Sequence, residues 1–177
     1  MRTVTPLLIG ALLTLSSLAA PLPGQAGLPS ADAADLVYAG QFWPHIFANS
    51  DAAALYAFGR AQMRDLPVAT SLNLALSAGE LAAYGGEGAL PAAGGPGFNI
   101  QADIRTHRWR IPERALEQIL EIEPSTFTLI QAFVAGLNAE RVIWLANAPL
   151  LANATEPVAL DLVTVQRLLS RPITILD

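Results

Sequence analysis

The chain has no cysteine and no lysine among its 177 residues. Without cysteine there can be no disulfide, no thiol nucleophile and no thiolate metal ligand. An exported chain of this kind must rely on packing or on partners. Every basic residue is arginine, and the net charge is −5 at neutral pH. That balance excludes a global attraction for nucleic acid or for an anionic membrane. Charge of either sign is also scarce, at 14% of residues against about 25% in an average soluble domain. Residues 66–79 and 88–102 carry none, and between 124 and 155 only Glu140 and Arg141 are charged. With 53% hydrophobic residues, either the surface is bland and alanine-rich or much of it is meant to be buried against another chain.

Histidine is nearly as rare. His45 and His107 lie far apart and have no ligand spacing, so no zinc site is predicted. Ser50, Ser71, Ser77, Ser125 and Ser170 all lack a Gly-x-Ser-x-Gly setting. The sequence therefore assigns no catalytic residue and no metal ligand, and leaves substrate-binding residues unassigned. A self-contained hydrolase is not expected.

Long apolar runs are confined to the N-terminus. Met1-Arg2 precedes an apolar run over residues 7–18, and Gly24-Gln25-Ala26 offers a cleavage site. This is the pattern of a signal peptide over residues 1–26. It leaves one domain, 27–177, in the periplasm or secreted. The run is shorter than the ~18–20 residues a membrane span needs, and no span is expected after cleavage. Asn153-Ala154-Thr155 is read as a chance glycosylation triplet.

What is present is mainly helical patterning behind a short N-terminal strand pair. Leu36-Val37-Tyr38 and residues 43–48 suit strands, the second at an edge because Pro44 cannot donate to a ladder. Asn49-Ser50-Asp51 can cap a helix over about 50–65, with Leu55, Phe58, Gly59 and Gln62 on one face. A mid-helix Gly59 points to another backbone passing close by. Pro67 opens a second helix carrying Leu72, Leu76, Leu81 and Tyr84 and stopping at Gly85-Gly86. Residues 85–97 form a loop by composition, with nothing of a phosphate-binding loop about it.

The one basic cluster surrounds Trp109, with Arg105, His107, Arg108 and Arg110. In an acidic chain it is expected to pair with carboxylates, and no nucleic-acid partner is predicted. Ile111-Pro112 opens a third helix with Leu116, Ile119 and Leu120 on one face and Glu113, Glu117 and Glu121 along another. That acidic ridge is a solvated face or a partner for the arginines. Pro124 ends the helix and Ser125 is placed to cap the next, whose apolar face is Ile130, Phe133, Val134 and Leu137. Residues 142–156 read as irregular. Asp161 caps a last helix with Leu162, Val165, Leu168 and Leu169, broken at Arg171-Pro172.

Several of these stretches resemble the penicillin acylase family, which includes acyl-homoserine-lactone and cephalosporin acylases. The opening match is Pro44-His45-Ile46, then Ser50-Asp51-Ala52-Ala53-Ala54-Leu55-Tyr56, Gly59, Ala61-Gln62 and Asp65. Downstream, Ser77-Ala78-Gly79-Glu80-Leu81-Ala82-Ala83-Tyr84-Gly85 is similar to a family stretch whose usual arginines are missing here. Phe133-Val134-Ala135-Gly136-Leu137-Asn138-Ala139 resembles the family's Phe-x-x-Gly-x-Asn-Ala element, and Pro157-Val158 with Asp161 resembles a later segment. The likeness spans about residues 36–169. It implies the α-subunit part of an α+β N-terminal-nucleophile hydrolase fold, with strands that complete a sheet held mainly by a catalytic β subunit. It implies amide hydrolysis of small acylated substrates, a place in antibiotic metabolism, and architectural roles for Asp103 and Arg108, while His45, following Pro44 on the strand, is itself expected to make a structural hydrogen bond. The nucleophile implied is a β-subunit N-terminal serine whose own α-amine, titrating near 8, serves as base. That serine is absent here, so the chain alone is expected to be an inactive fragment. No cofactor is expected. Calcium is possible by resemblance, with its ligands outside this chain. The other classes are a non-catalytic periplasmic helical binding or interaction protein on an acylase-like scaffold, and a fragment that does not fold stably.

Overall fold

The computed structural model describes residues 34–39, 43–86, 97–152 and 160–177. The leader expected over 1–26, most of the glycine-rich loop and the Asn153-Ala154-Thr155 triplet lie outside these residues. Two strands, β1 (Ala34–Ala39) and β2 (Trp43–Ala48), pair antiparallel with Leu36 opposite Ile46 and Tyr38 opposite Pro44. In a two-stranded sheet Pro44 costs no inner ladder bond.

Helix α1 (Asp51–Asp65) follows at once, capped by Ser50, whose hydroxyl accepts from the Ala53 amide at 3.2 Å. Its buried positions are Ala53, Ala57, Gly59, Ala61 and Met63. Of the four residues expected to share one face, Gly59 is buried and Leu55 half-buried, while Phe58 and Gln62 are exposed. Small residues rather than large ones face the core because a second helix lies against this side.

Pro67 opens α2 (Pro67–Ala78), as expected, but the helix does not run through to Tyr84. Gly79 takes the left-handed conformation at φ 72°, and the Glu80 amide turns back to the Ala75 carbonyl at 2.8 Å. A separate short helix, α3 (Leu81–Gly85), begins after it. The apolar spacing continued across the break, which hid it. Asp103, on α4 (Phe98–Arg108), accepts the Leu81 and Ala82 amides at 2.8 Å each. That carboxylate supplies from outside the cap that α3 lacks, and so has the architectural role expected of it.

Helix α5 (Ile111–Glu121) starts after Arg110 at φ 55°. Helix α6 is longer than expected, Pro124–Ala146. Pro124 opens it at the first turn and Ser125 is inside the helix, so the predicted Ser125 cap is not formed. Part of the stretch read as irregular is the end of α6, followed by α7 (Ala148–Leu151). By length and composition α6 could cross a membrane. Here it carries buried Glu140 and Arg141 and packs along α1. The last helix, α8 (Leu162–Ser170), is capped by Asp161 as predicted. Bonds from the Thr164 amide at 3.0 Å and hydroxyl at 2.8 Å hold the Asp161 carboxyl below its usual pKa.

Two apolar clusters result. Val68, Leu72 and Ala75 of α2 meet Leu81, Ala102, Leu151, Val165, Leu168 and Leu169. Met63 of α1, Leu137 of α6 and Ile173 form the second. Trp144 packs against both.

Candidate functional site

The base of the site is the crossing of α1 and α6. A β-carbon on Gly59 would lie 2.2 Å from the Phe133 carbonyl oxygen, and one on Gly136 would lie 2.0 Å from that of Tyr56. Both glycines are therefore required for the two backbones to touch. One turn along, Arg60 donates from Nε (3.1 Å) and Nη2 (2.9 Å) to one oxygen of buried Glu140. The pair fixes the helices' register because the buried Glu140 carboxylate takes both bonds from Arg60.

The strand pair sits on α1. Tyr38 donates its hydroxyl to Asp65 at 2.7 Å, and the Arg64 guanidinium lies 5.0 Å from the Tyr38 ring centre. Leu36, Tyr38, Pro44 and Ile46 are half-buried, by the alternation of the pleat. The opposite face carries Val37, Trp43, His45 and Phe47, all exposed, with Trp43 74% accessible. Trp43 and Phe47 stand four residues apart on β2 with His45 between them and Asp35 opposite Phe47, and among the described residues nothing covers these aromatic side chains, the kind of sheet surface that another chain covers.

The C-terminal segment is pinned to α6. Asn138 donates to the Ile173 carbonyl at 2.8 Å and accepts its amide at 3.1 Å. Arg141 donates to Asn138 at 3.0 Å and to the Leu169 carbonyl. Burial lowers the Arg141 pKa. Arg171 bonds Glu80 at 2.6 Å and also Asp177, and lies over the Tyr84 ring. Burial pulls its pKa down, but these carboxylates outweigh that and hold it above the usual value.

The polar residues considered from sequence do not converge. Ser71, Ser77 and Ser170 donate to helix carbonyls, Ser50 is a cap, and Ser125 is exposed. His107 Nε2 lies 3.1 Å from the Gly79 carbonyl oxygen. His45 is exposed and makes no side-chain hydrogen bond among the described residues, so its expected structural bond is not formed. The basic cluster pairs with the acidic ridge only at Arg110–Glu117, 3.6 Å apart, among the described residues. Arg108 makes no such contact there, contrary to its expected architectural role. No group of three histidine, aspartate or glutamate side chains gathers among the described residues. The exposed strand face was not singled out from sequence. Its signal was the alternation of Val37 and of Trp43, His45 and Phe47 with residues that turn to α1.

These elements define a mainly α domain with an N-terminal strand pair whose outer face is uncovered among the described residues. A family model for penicillin amidase matches residues 35–175, and the chain belongs to that family. Among solved structures it is similar to a thermostable penicillin G acylase from Alcaligenes faecalis in tetragonal form. The two are 18% identical with a TM-score of 0.57, over 76% of this chain and 69% of that one. A search of curated proteins finds no match.

Proposed function

We propose that this chain is the α-subunit portion of an exported amide hydrolase, completed by a catalytic β subunit. Its substrates would be small acylated amides, with the acyl chain removed from a β-lactam nucleus or a homoserine lactone. The observation that carries the reading is the uncovered Val37, Trp43 and Phe47 face in a chain of the penicillin amidase family. On this reading the β subunit extends the strand pair and buries its outer face. It also supplies the nucleophilic serine and its α-amine, with donors for the oxyanion. The role of the described residues is to hold the strand pair at a fixed angle to α1 and α6.

The test is hydrolysis of acylated β-lactams and homoserine lactones by the purified chain, alone and after co-expression with whatever the locus encodes beyond Asp177. The chain alone should show no turnover, and the assembled pair should show it. Turnover by this polypeptide alone would overturn the reading. If no acylase-like segment is encoded nearby, the chain is instead a non-catalytic binding or interaction protein on this scaffold.

A further inference from the structure

Helix α5 has an apolar stripe but not one buried residue. Leu120 is 80% accessible, and Leu116 and Ile111 are also exposed. The preceding α4 turns Ile104, Arg105 and Arg108 outward, and Trp109 in the connecting turn is 63% accessible. The helix packs on α2 and α4 with Pro112, Ala115 and Ile119 half-buried, and leaves the rest of its apolar stripe open.

The charges say what could. The α4 side of this surface is basic, through Arg105 and Arg108. The α5 side is acidic on balance, with Glu113, Glu117 and Glu121 at successive turns against Arg114. Of the charges on this surface only Arg110 and Glu117 pair among the described residues, 3.6 Å apart and both well exposed. Among the described residues Arg105, Arg108, Glu113 and Glu121 have no ion pair. An anionic lipid surface or a nucleic acid would meet the acidic ridge and be repelled by it. A uniformly charged protein would satisfy one half only. A face with one positive and one negative half, and apolar side chains on both helices, is complementary to itself under a two-fold rotation.

We propose that the α4–α5 surface is a contact between two copies of this chain, each placing its arginines on the other's glutamate ridge. It is distinct from the strand face, since α5 packs on α2 and α4 whereas the strand pair packs on α1. The proposal therefore does not depend on a β subunit.

The test is sedimentation equilibrium of the full 177-residue chain. The wild type should dimerise and should weaken as salt rises. Arg105→Glu/Arg108→Glu and Glu113→Arg/Glu121→Arg should each raise the dissociation constant about tenfold or more. An equimolar mixture of the two variants should recover a heterodimer. A Trp43→Ser/Phe47→Ser chain should dimerise as the wild type does. The milder Arg105→Gln/Arg108→Gln pair, which introduces no new charge, should weaken the dimer in the same direction if charge reversal perturbs folding. A monomeric wild type would overturn the proposal. So would reversed variants that dimerise normally, a mixture that stays monomeric, or a dimer lost only with Trp43 and Phe47.

Discussion

Gly59 and Gly136 face each other across the α1–α6 crossing, each where a β-carbon would meet the other helix's backbone. The obstacle in both cases is a carbonyl oxygen, at 2.2 Å and 2.0 Å, not the end of a side chain that could swing away. Gly59→Ala and Gly136→Ala are each expected to destabilise the domain. The gain in helix propensity from alanine is roughly 1 kcal/mol. Separating two packed helices costs about 1–3 kcal/mol or more, so the steric cost wins. Urea unfolding followed by circular dichroism checks this. A midpoint at or above wild type for either variant would remove the crossing from its central place.

Arg60 and Glu140 are unequally buried, with side chains 31% and 8% accessible. Removing the arginine strands a carboxylate in the core, whereas removing the carboxylate leaves an arginine that can turn to water. Arg60→Met is therefore expected to cost about 3–5 kcal/mol and Glu140→Gln clearly less. Chemical denaturation of both single variants and the double variant measures the asymmetry and the coupling. Equal costs would mean that Arg60 is no freer than its partner.

Much of this scaffold was legible in the sequence, for local reasons. Ser50, Asp161, Pro67 and the strand residues act within a few positions of themselves, and their roles were read correctly. Gly59 announced a close backbone because glycine in a helix interior has a cost that needs a cause. Nothing in the sequence marks Gly136 as its partner, because a pairing between positions so far apart leaves no local trace. The break at Gly79 was hidden by apolar spacing that continued across it, and its cap came from Asp103 on another helix. The end of α6 was missed because Val142, Ile143, Trp144 and Leu145 are uniformly apolar and show no period. Of the candidate site, composition offers two readings, a bland alanine-rich surface or one buried against another chain. Which face that would be depends on how the strand pair sits on α1.

Asn138 makes two bonds to the Ile173 backbone and one to Arg141. Asn138→Ala is expected to cost about 1–3 kcal/mol, since it leaves backbone groups unsatisfied. The loss should be local. Amide exchange at Ile173 should speed up far more than at Ala57 or Ala61 in the core of α1. Uniform acceleration across the domain would mean that Asn138 supports the whole fold and not the C-terminal segment.

Tyr38 provides a pH-dependent hold on the strand pair. Partial burial, with help from the bond to Asp65 and that carboxylate's charge, raises its pKa from 10.0 to about 12, against the opposing pull of Arg64. A raised folded-state pKa means that the folded protein binds the proton more tightly than the unfolded one. The contribution is therefore fully present below pH 10 and is lost as pH rises through about 12. Tyrosinate absorbance should show a late-titrating component that disappears in Tyr38→Phe. In that same alkaline window the Trp43 fluorescence of the wild type should shift as the strand pair loosens from α1. In Tyr38→Phe the pair should already be loosened at neutral pH and show no further transition there. A Trp43 signal that follows the same alkaline curve in both proteins would show that the Tyr38–Asp65 bond does not hold the strands in place.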